Sequence, residues 1–266
     1  MLTTVDDLAR PQKLNPIEAR FSAAAQQYGQ AAHVQKQIAD ALLDAFKDFA
    51  ADFSPRKLLD VGCGTGFVTE PLLKQHPNAR VMAVDLAQGM LDQLQARLSN
   101  PRLELLRHDG QDLPASIIQG GADQAVLSSM CMQWFDKPAD TLCHWAQFNR
   151  IVAVAVLLDG SFSAWRAAHA ASCQPCGLHP LPSENALHLA LRTLKARRPG
   201  LRVQSHTLEV LDHHPDGLSF ARSLRAIGAH TPKPGHQPAN LRKVLQQLRA
   251  DCTLNYRVGI YLIENP

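Results

Sequence analysis

The chain has 266 residues, of which 45% are hydrophobic and 19% charged, so it can bury a sizeable core and is not disordered as a whole. Its net charge of +3 falls short of the bias that by itself signals nucleic acid, and no apolar run approaches the roughly 20 residues of a membrane span. The opening MLTTVDDLARPQKLNP carries acidic residues and no apolar h-region, so a cytoplasmic protein with six free cysteines is expected.

Residues 1–16, with Pro11 and Pro16, read as a loose leader. Apolar residues then recur at intervals of three and four, which predicts two helices over 17–53 with a break near Gly29, forming an N-terminal cover. From 54 to 160 strands and helices alternate. Strands are expected at 57–61, 80–84, 103–107, 124–128 and 151–158, and helices at 69–75, 90–98 and 139–149. The last strand, IVAVAVLL, is apolar without alternation, as a strand buried on both faces should be. Alternation of this kind implies an α/β, doubly wound, mostly parallel sheet. Beyond it, 161–200 reads as a helical insertion, with helices at 162–171 and 185–197 and Ser183 as N-cap. Residues 201–266 complete the sheet. They hold a strand at 203–211, a helix at 215–227 stopping at Gly228, a proline-rich loop at 231–238, a helix at 239–248 and a last, antiparallel strand at 255–263.

The chemistry concentrates at the first strand end. Gly62, Gly64 and Gly66 in LLDVGCGTGF allow a sharp turn and close approach of a ligand, and the following helix offers unpaired N–H groups. A dinucleotide fingerprint needs a third glycine where this chain has Phe67, which disfavours NAD. Asp60 sits where a carboxylate meets a cationic amino group, Asp85 where one grips ribose hydroxyls, and Asp109-Gly110 where an adenine edge lies. Three acidic residues at successive strand ends point to S-adenosylmethionine. Cys63, Leu86, Met90, Ser128 and Gln133 complete the expected cofactor-binding set.

The chain resembles the malonyl-acyl carrier protein O-methyltransferases of biotin synthesis, the BioC type. The resemblance is carried by RFSAAAQQYGQAAHVQKQIADALL, the cofactor motifs LLDVGCGTGFVTEPLL and VDLAQGML, SSMCMQW, LLDGSFSAWR, FARSLRAIGAH and LNYRVGIYLI. It implies a Rossmann-like class I fold that needs no metal. The implied reaction is in-line methylation of the free carboxylate of a malonyl thioester, on acyl carrier protein or coenzyme A. A carboxylate is already ionised at neutral pH, so no general base is required. The family's Lys-Pro-Gly-Gly loop before the fifth strand is absent, because FNRIVAVAV runs straight through. Altered folding detail on the side away from the ligand is expected there.

An acceptor carboxylate calls for a cationic anchor, and arginine supplies two parallel hydrogen bonds. Arg225 or Arg222 is the first choice, and Arg166 the second. Tyr28 is expected to close over sulfonium or substrate, or to be core; Trp134 borders the transfer site or is core. Arg192, Lys195, Arg197, Arg198, Arg222, Arg225, Lys233, Arg242 and Lys243 are candidates for a patch facing an acidic carrier protein. His169, Cys173, Cys176 and His179 would supply four zinc ligands, but the spacing is not that of common fingers and free thiols are the default. The alternatives are another class I small-molecule methyltransferase, or a non-catalytic partner that keeps the cofactor fold.

Overall fold

A computed structural model describes residues 15–266. Most of the expected leader lies outside the described residues. Its last two residues do not: Asn15 caps the first helix by accepting the Ile17 N–H at 3.0 Å, and Pro16 takes the first turn, where its missing N–H costs nothing. Helix α1 (Pro16–Ala31) and α2 (His33–Phe49) therefore meet at Ala32, not near Gly29.

The core then runs β1 (Lys57–Val61), α3 (Thr69–Gln75), β2 (Arg80–Asp85), α4 (Gln88–Arg97), β3 (Leu103–Arg107), a short α5 (Ala115–Ile118), β4 (Gly121–Ser129), α6 (Pro138–Phe148) and β5 (Asn149–Leu157). Helices α7 (Ser163–Ala171) and α8 (Glu184–Arg197), β6 (Arg202–His214), α9 (Gly217–Ala226), α10 (Leu241–Leu245) and β7 (Cys252–Glu264) follow. The expected helix at 239–248 is thus only five residues long, and α5 had no periodic signal. Ser183 stands at the α8 N-cap, although its side chain makes no capping bond.

The sheet has seven strands in the order β3-β2-β1-β4-β5-β7-β6. β1 to β5 pair in parallel, and β7 runs antiparallel to both β5 and β6. The continuous apolar run of β5 resolves by parity. Ile151, Ala153, Ala155 and Leu157 pack on one face with α2, α3, α7, α9 and α10, while Val152, Val154 and Val156 pack on the other with α6 and α8. This placement of α8 and α9 on opposite faces bears on binding below.

The junction with the missing loop needs no residue between α6 and β5. Asn149 starts the strand directly, 2% exposed, donating to the Trp145 carbonyl at 2.7 Å and accepting from Gln124 at 2.9 Å. Arg198 and Asn265 donate to the Gln147 carbonyl, satisfying another helix-end acceptor. All of this lies at the amino end of β5, away from the strand ends that carry the glycine turn.

Candidate active site

The turn after β1 is built from backbone geometry that only glycine adopts easily. Gly62, Gly64 and Gly66 have φ of +74°, +53° and +97°. The Gly62 and Cys63 N–H groups donate to the Val84 carbonyl. Asp85 at the end of β2 then holds the loop. One of its oxygens accepts the Gly64 N–H and the other the Ala87 N–H, each at 2.8 Å. The three glycines do different jobs. A Cβ at Gly62 would meet the Cys131 side chain at 2.3 Å, and one at Gly66 would meet Leu94 on α4 at 2.5 Å. At Gly64 the nearest atom is Tyr28 Cε1, at 3.8 Å, so this position opens onto space.

That space is a cavity lined by the glycine turn, the ends of β2 to β4, and α1. Of the residues expected to bind cofactor, Gly62, Gly64, Asp85, Leu86, Met90, Asp109 and Gly110 border it, together with Tyr28 and Trp134. Its ionisable lining is dominated by three carboxylates, Glu18, Asp85 and Asp109, and Glu18 is held by an ion pair with Arg107. Asp60 lies beside it on a smaller cavity shared with Gly62 and Gly64. Burial pushes the Asp60 carboxyl up to about 7 despite the hydrogen bond from Thr69 Oγ1 at 2.5 Å, and its other oxygen has no partner. Burial raises Asp85 too. Burial, reinforced by Asp85, lifts the Cys63 and Cys131 thiols well above their ordinary range, so neither is a thiolate. Carboxylates this deeply desolvated suit a cationic ligand.

A second cavity opens behind Tyr28 and is largely apolar. Phe21, Phe162, Leu178, Leu181, Leu224 and Ile227 contribute to its wall, with Gln35, Gln133, His179 and Tyr256 as polar elements. Phe21, Tyr28, Met130 and Trp134 line both cavities. Trp134 is fixed edge-on against Phe21 at 5.6 Å and His179 at 5.3 Å, and His179 Nε2 donates to the Thr231 carbonyl. The Tyr256 ring is set by Phe162 at 4.7 Å. Burial holds both the Tyr28 and Tyr256 phenols far above their ordinary range, and each feels nearby acidic groups, Asp85 for Tyr28 and Asp212 for Tyr256.

Several expected site residues stand elsewhere. Ser128 is buried between strands, its hydroxyl donating to the Val61 carbonyl at 2.8 Å; the next residue, Ser129, reaches the cavity instead, because side chains alternate along a strand. Cys63 packs with Leu91 and Leu94 but also borders the smaller cavity beside Asp60, and Gly66 serves the contact with α4. Gln133 faces the apolar cavity, not the acidic one. Arg222 and Arg225 are exposed, because α9 turns Phe220, Leu224 and Ile227 inward and residues at intervening angles must face out. Arg166 folds back onto the Ser161 carbonyl at 3.2 Å. No lysine or arginine among the described residues lines the apolar cavity. His169 is buried beside Trp165 while His179 faces Trp134, and among the described residues no three His, Cys, Asp or Glu side chains are placed to hold a metal.

Sequence reasoning missed Glu18, Phe21, Ser129, Met130 and Tyr256. Met130 has φ +53°, a strand-end kink no pattern announces. Tyr256 had a signal: it shares inward parity with Val258, Ile260 and Leu262 in β7, so a polar-tipped ring was due on the core face.

A model described as a methyltransferase domain matches residues 58–151. The malonyl-[acyl-carrier protein] O-methyltransferase of Magnetococcus marinus is 32% identical over 247 residues, 88% of this chain and 87% of that protein. The biotin biosynthesis bifunctional protein BioCD of Bordetella avium is 35% identical over 237 residues, 87% of this chain; the chain spans about half, 48%, of that longer protein. Among solved structures, the plantazolicin methyltransferase BpumL in complex with SAH aligns with TM-score 0.53 at 15% identity, covering 94% of this chain and 96% of that one. The magnesium protoporphyrin IX methyltransferase ChlM of Synechocystis PCC 6803, also with bound SAH, aligns at 0.52 and 12%, covering 87% and 83%. The fold is that of class I S-adenosylmethionine-dependent methyltransferases, and by its identity over nearly the full length of the Magnetococcus protein this chain belongs to the malonyl-[acyl-carrier protein] O-methyltransferase family.

Proposed function

We propose that the chain methylates the free carboxylate of a malonyl thioester, with acyl carrier protein as the carrier and S-adenosylmethionine as the methyl donor. The observation that carries this reading is the pair of joined cavities, one acidic and one apolar, sharing Tyr28, Trp134, Phe21 and Met130 at their boundary.

The acidic cavity fits the donor. Asp60 has a buried, unpartnered oxygen for the amino group, directly or through water. Asp85 spends one lone pair per oxygen on Gly64 and Ala87 and keeps the others for ribose hydroxyls. Gly64 leaves room for close approach, and Asp109, with Gly110, stands at the adenine end. When bound, S-adenosylmethionine supplies a methyl group on a positively charged sulfonium.

The acceptor side is the apolar cavity. Arg222, Arg225 and Arg166 are not in its wall, so the carboxylate is assigned to Tyr28 and Tyr256. A phenol is already protonated, hence a hydrogen-bond donor, across the physiological range, and burial moves both further in that direction. The remaining wall orients the malonyl arm and keeps water out, and positioning of this kind can supply much of a rate enhancement. Cover α1–α2, core 54–160 and insertion 161–200 each contribute a wall residue: Tyr28, Gln133 and His179.

The test offers malonyl-acyl carrier protein and labelled S-adenosylmethionine to the purified protein and follows label into a methyl ester. Label on the malonyl carboxylate is expected. Transfer only to some other acid would keep the fold and remove this acceptor. Within an active enzyme, Tyr256→Phe should lower kcat/KM about tenfold or more, as loss of a hydrogen bond to a charged group does, while leaving affinity for S-adenosylhomocysteine unchanged.

A further inference from the structure

The malonyl group accounts for the cavity but not for the charge outside it. Residues 217–250 contain Arg222, Arg225, Lys233, Arg242, Lys243 and Arg249 and not one Asp or Glu. All six are exposed, and none forms an ion pair among the described residues. Elsewhere the pattern is the reverse. Arg80, Arg97, Arg107, Arg150, Arg202 and Arg257 each pair with a carboxylate. The same segment lines the apolar cavity from within, through Leu224, Ile227, Ala229 and Thr231. Its outer face also exposes Leu218 (38%) and Leu241 (41%), two of the few large apolar side chains left in solvent.

We propose that the outward face of residues 217–250 is the docking surface for the acidic carrier protein that delivers the thioester, a step that rests on the function proposed above. Six cations without an ion-pair partner among the described residues, of which Arg222 feels the nearby Asp216, repel one another at neutral pH and attract an anionic surface, and at physiological salt that attraction extends about 8 Å. A malonyl carboxylate inside the cavity touches none of them, so their partner is larger than the acyl group. Leu218 and Leu241 give an apolar contact within the charged field, the usual make-up of a specific protein interface. The basic residues of α8 are a different surface. Arg192, Lys195, Arg197 and Arg198 stand on the helix packed against the opposite sheet face, with α6. Of the basic residues expected to form one patch, those of 217–250 belong to the segment that lines the cavity receiving the acyl arm, through α9 and the loop after it, whereas no residue of α8 lines it.

The experiment compares Arg222→Glu/Arg242→Glu/Lys243→Glu with an α8 control, Arg192→Glu/Lys195→Glu/Arg197→Glu. Two substrates are used: malonyl-acyl carrier protein and malonyl-pantetheine, whose arm is uncharged. The first variant should lose about tenfold or more in kcat/KM on the carrier, mostly in KM, and stay within about twofold of the parent on malonyl-pantetheine. The control should match the parent on both. Raising salt from about 50 to about 300 mM should weaken carrier binding by the parent and not by the first variant. Equal loss in the α8 control, an equal loss on malonyl-pantetheine, or a parent without salt dependence overturns the proposal. Calorimetry with the carrier alone separates the two readings: a parent that binds the carrier but methylates neither substrate keeps the docking surface and loses the proposed reaction. Binding of a short DNA duplex as tightly as the carrier would overturn the assignment of the surface to a protein.

Discussion

Asp60 shows how much a single buried carboxylate demands of its ligand. Its pKa rises from the usual 3.8 to about 7, with burial outweighing the Thr69 hydrogen bond. A raised carboxylate pKa means that the fold prefers the protonated form. Its contribution to stability is therefore full below about pH 4 and is lost as pH rises through about 7, a loss on the order of 4 kcal/mol at ~1.4 kcal/mol per unit. Asp60→Asn removes the titration and keeps an acceptor for Thr69. The variant should gain on the parent as pH goes from about 5 to about 8, read as a growing difference in Tm without ligand. It should also lose affinity for S-adenosylhomocysteine, whose ammonium group is the proposed partner. An equal Tm difference at both pH values would show that Asp60 is not held under this strain. At this scale the sequence was legible where a residue type has one use. Asp60, Asp85, Gly62 and Gly64 could be read from a turn after a strand. It was not legible where two uses compete: an arginine on a helix reads the same facing in or out, and only the phase set by Phe220, Leu224 and Ile227 put Arg222 and Arg225 outside.

Among elements, the α6–β5 junction joins helix to strand with no loop and satisfies the helix end with side chains. Phe148 ends the helix and Asn149 starts the strand, so the carbonyls of the last helical turn have no residues beyond them to cap them. Asn149 supplies a donor to Trp145 and an acceptor to Gln124 while itself 2% exposed. Asn149→Ala would strip the Trp145 carbonyl of this donor and leave Gln124 with only its bond to the Ile117 carbonyl, at a cost of about 1–3 kcal/mol for an unsatisfied buried polar group. Urea unfolding should show that loss, with methyl transfer kept near the parent's rate, since the junction is at the opposite end of β5 from the cavities. Intact stability would show that water replaces the side chain; a collapse of activity without loss of stability would show that the two ends of β5 are coupled. The elements themselves were mostly legible. β5 announced its two-sided burial through eight apolar residues in a row, and α3 and β3 fell where periodicity put them. Ends were harder, because caps such as Asn15 and the full length of β6 and β7 depend on tertiary partners that a local pattern does not contain.

Across the whole molecule, the site is assembled from two halves that α1 spans. The glycine turn and the ends of β1 to β4 form one wall; α9, the 231–238 loop and β7 form the other; α1 lies across both and places Phe21 and Tyr28 at the boundary. Two glycines set how close it lies. A Cβ at Gly89, on α4, would meet the Ser22 carbonyl oxygen at 2.6 Å, and one at Gly228, after α9, would meet the Arg20 carbonyl oxygen at 2.8 Å. Both clashes are with α1 backbone, which cannot rotate aside as a side chain can. The glycines are thus contact points; Gly228 could be read from sequence as a helix stop, but neither contact with α1 could, since the partner helix is far away in the chain. Gly89→Ala should push α1 off the acidic cavity and leave the sheet intact. Overpacking of this kind costs about 1–3 kcal/mol, and because α1 covers the cavity that cost should appear chiefly as weaker binding, about tenfold or more for S-adenosylhomocysteine. Backbone hydrogen exchange should locate the change: faster exchange over α1, with β1, β4 and β5 protected as in the parent. Ligand affinity equal to the parent's, with α1 exchange unchanged, would mean that the helix yields at Ser22 without moving Tyr28, and that the cover is softer than two backbone-to-glycine contacts imply.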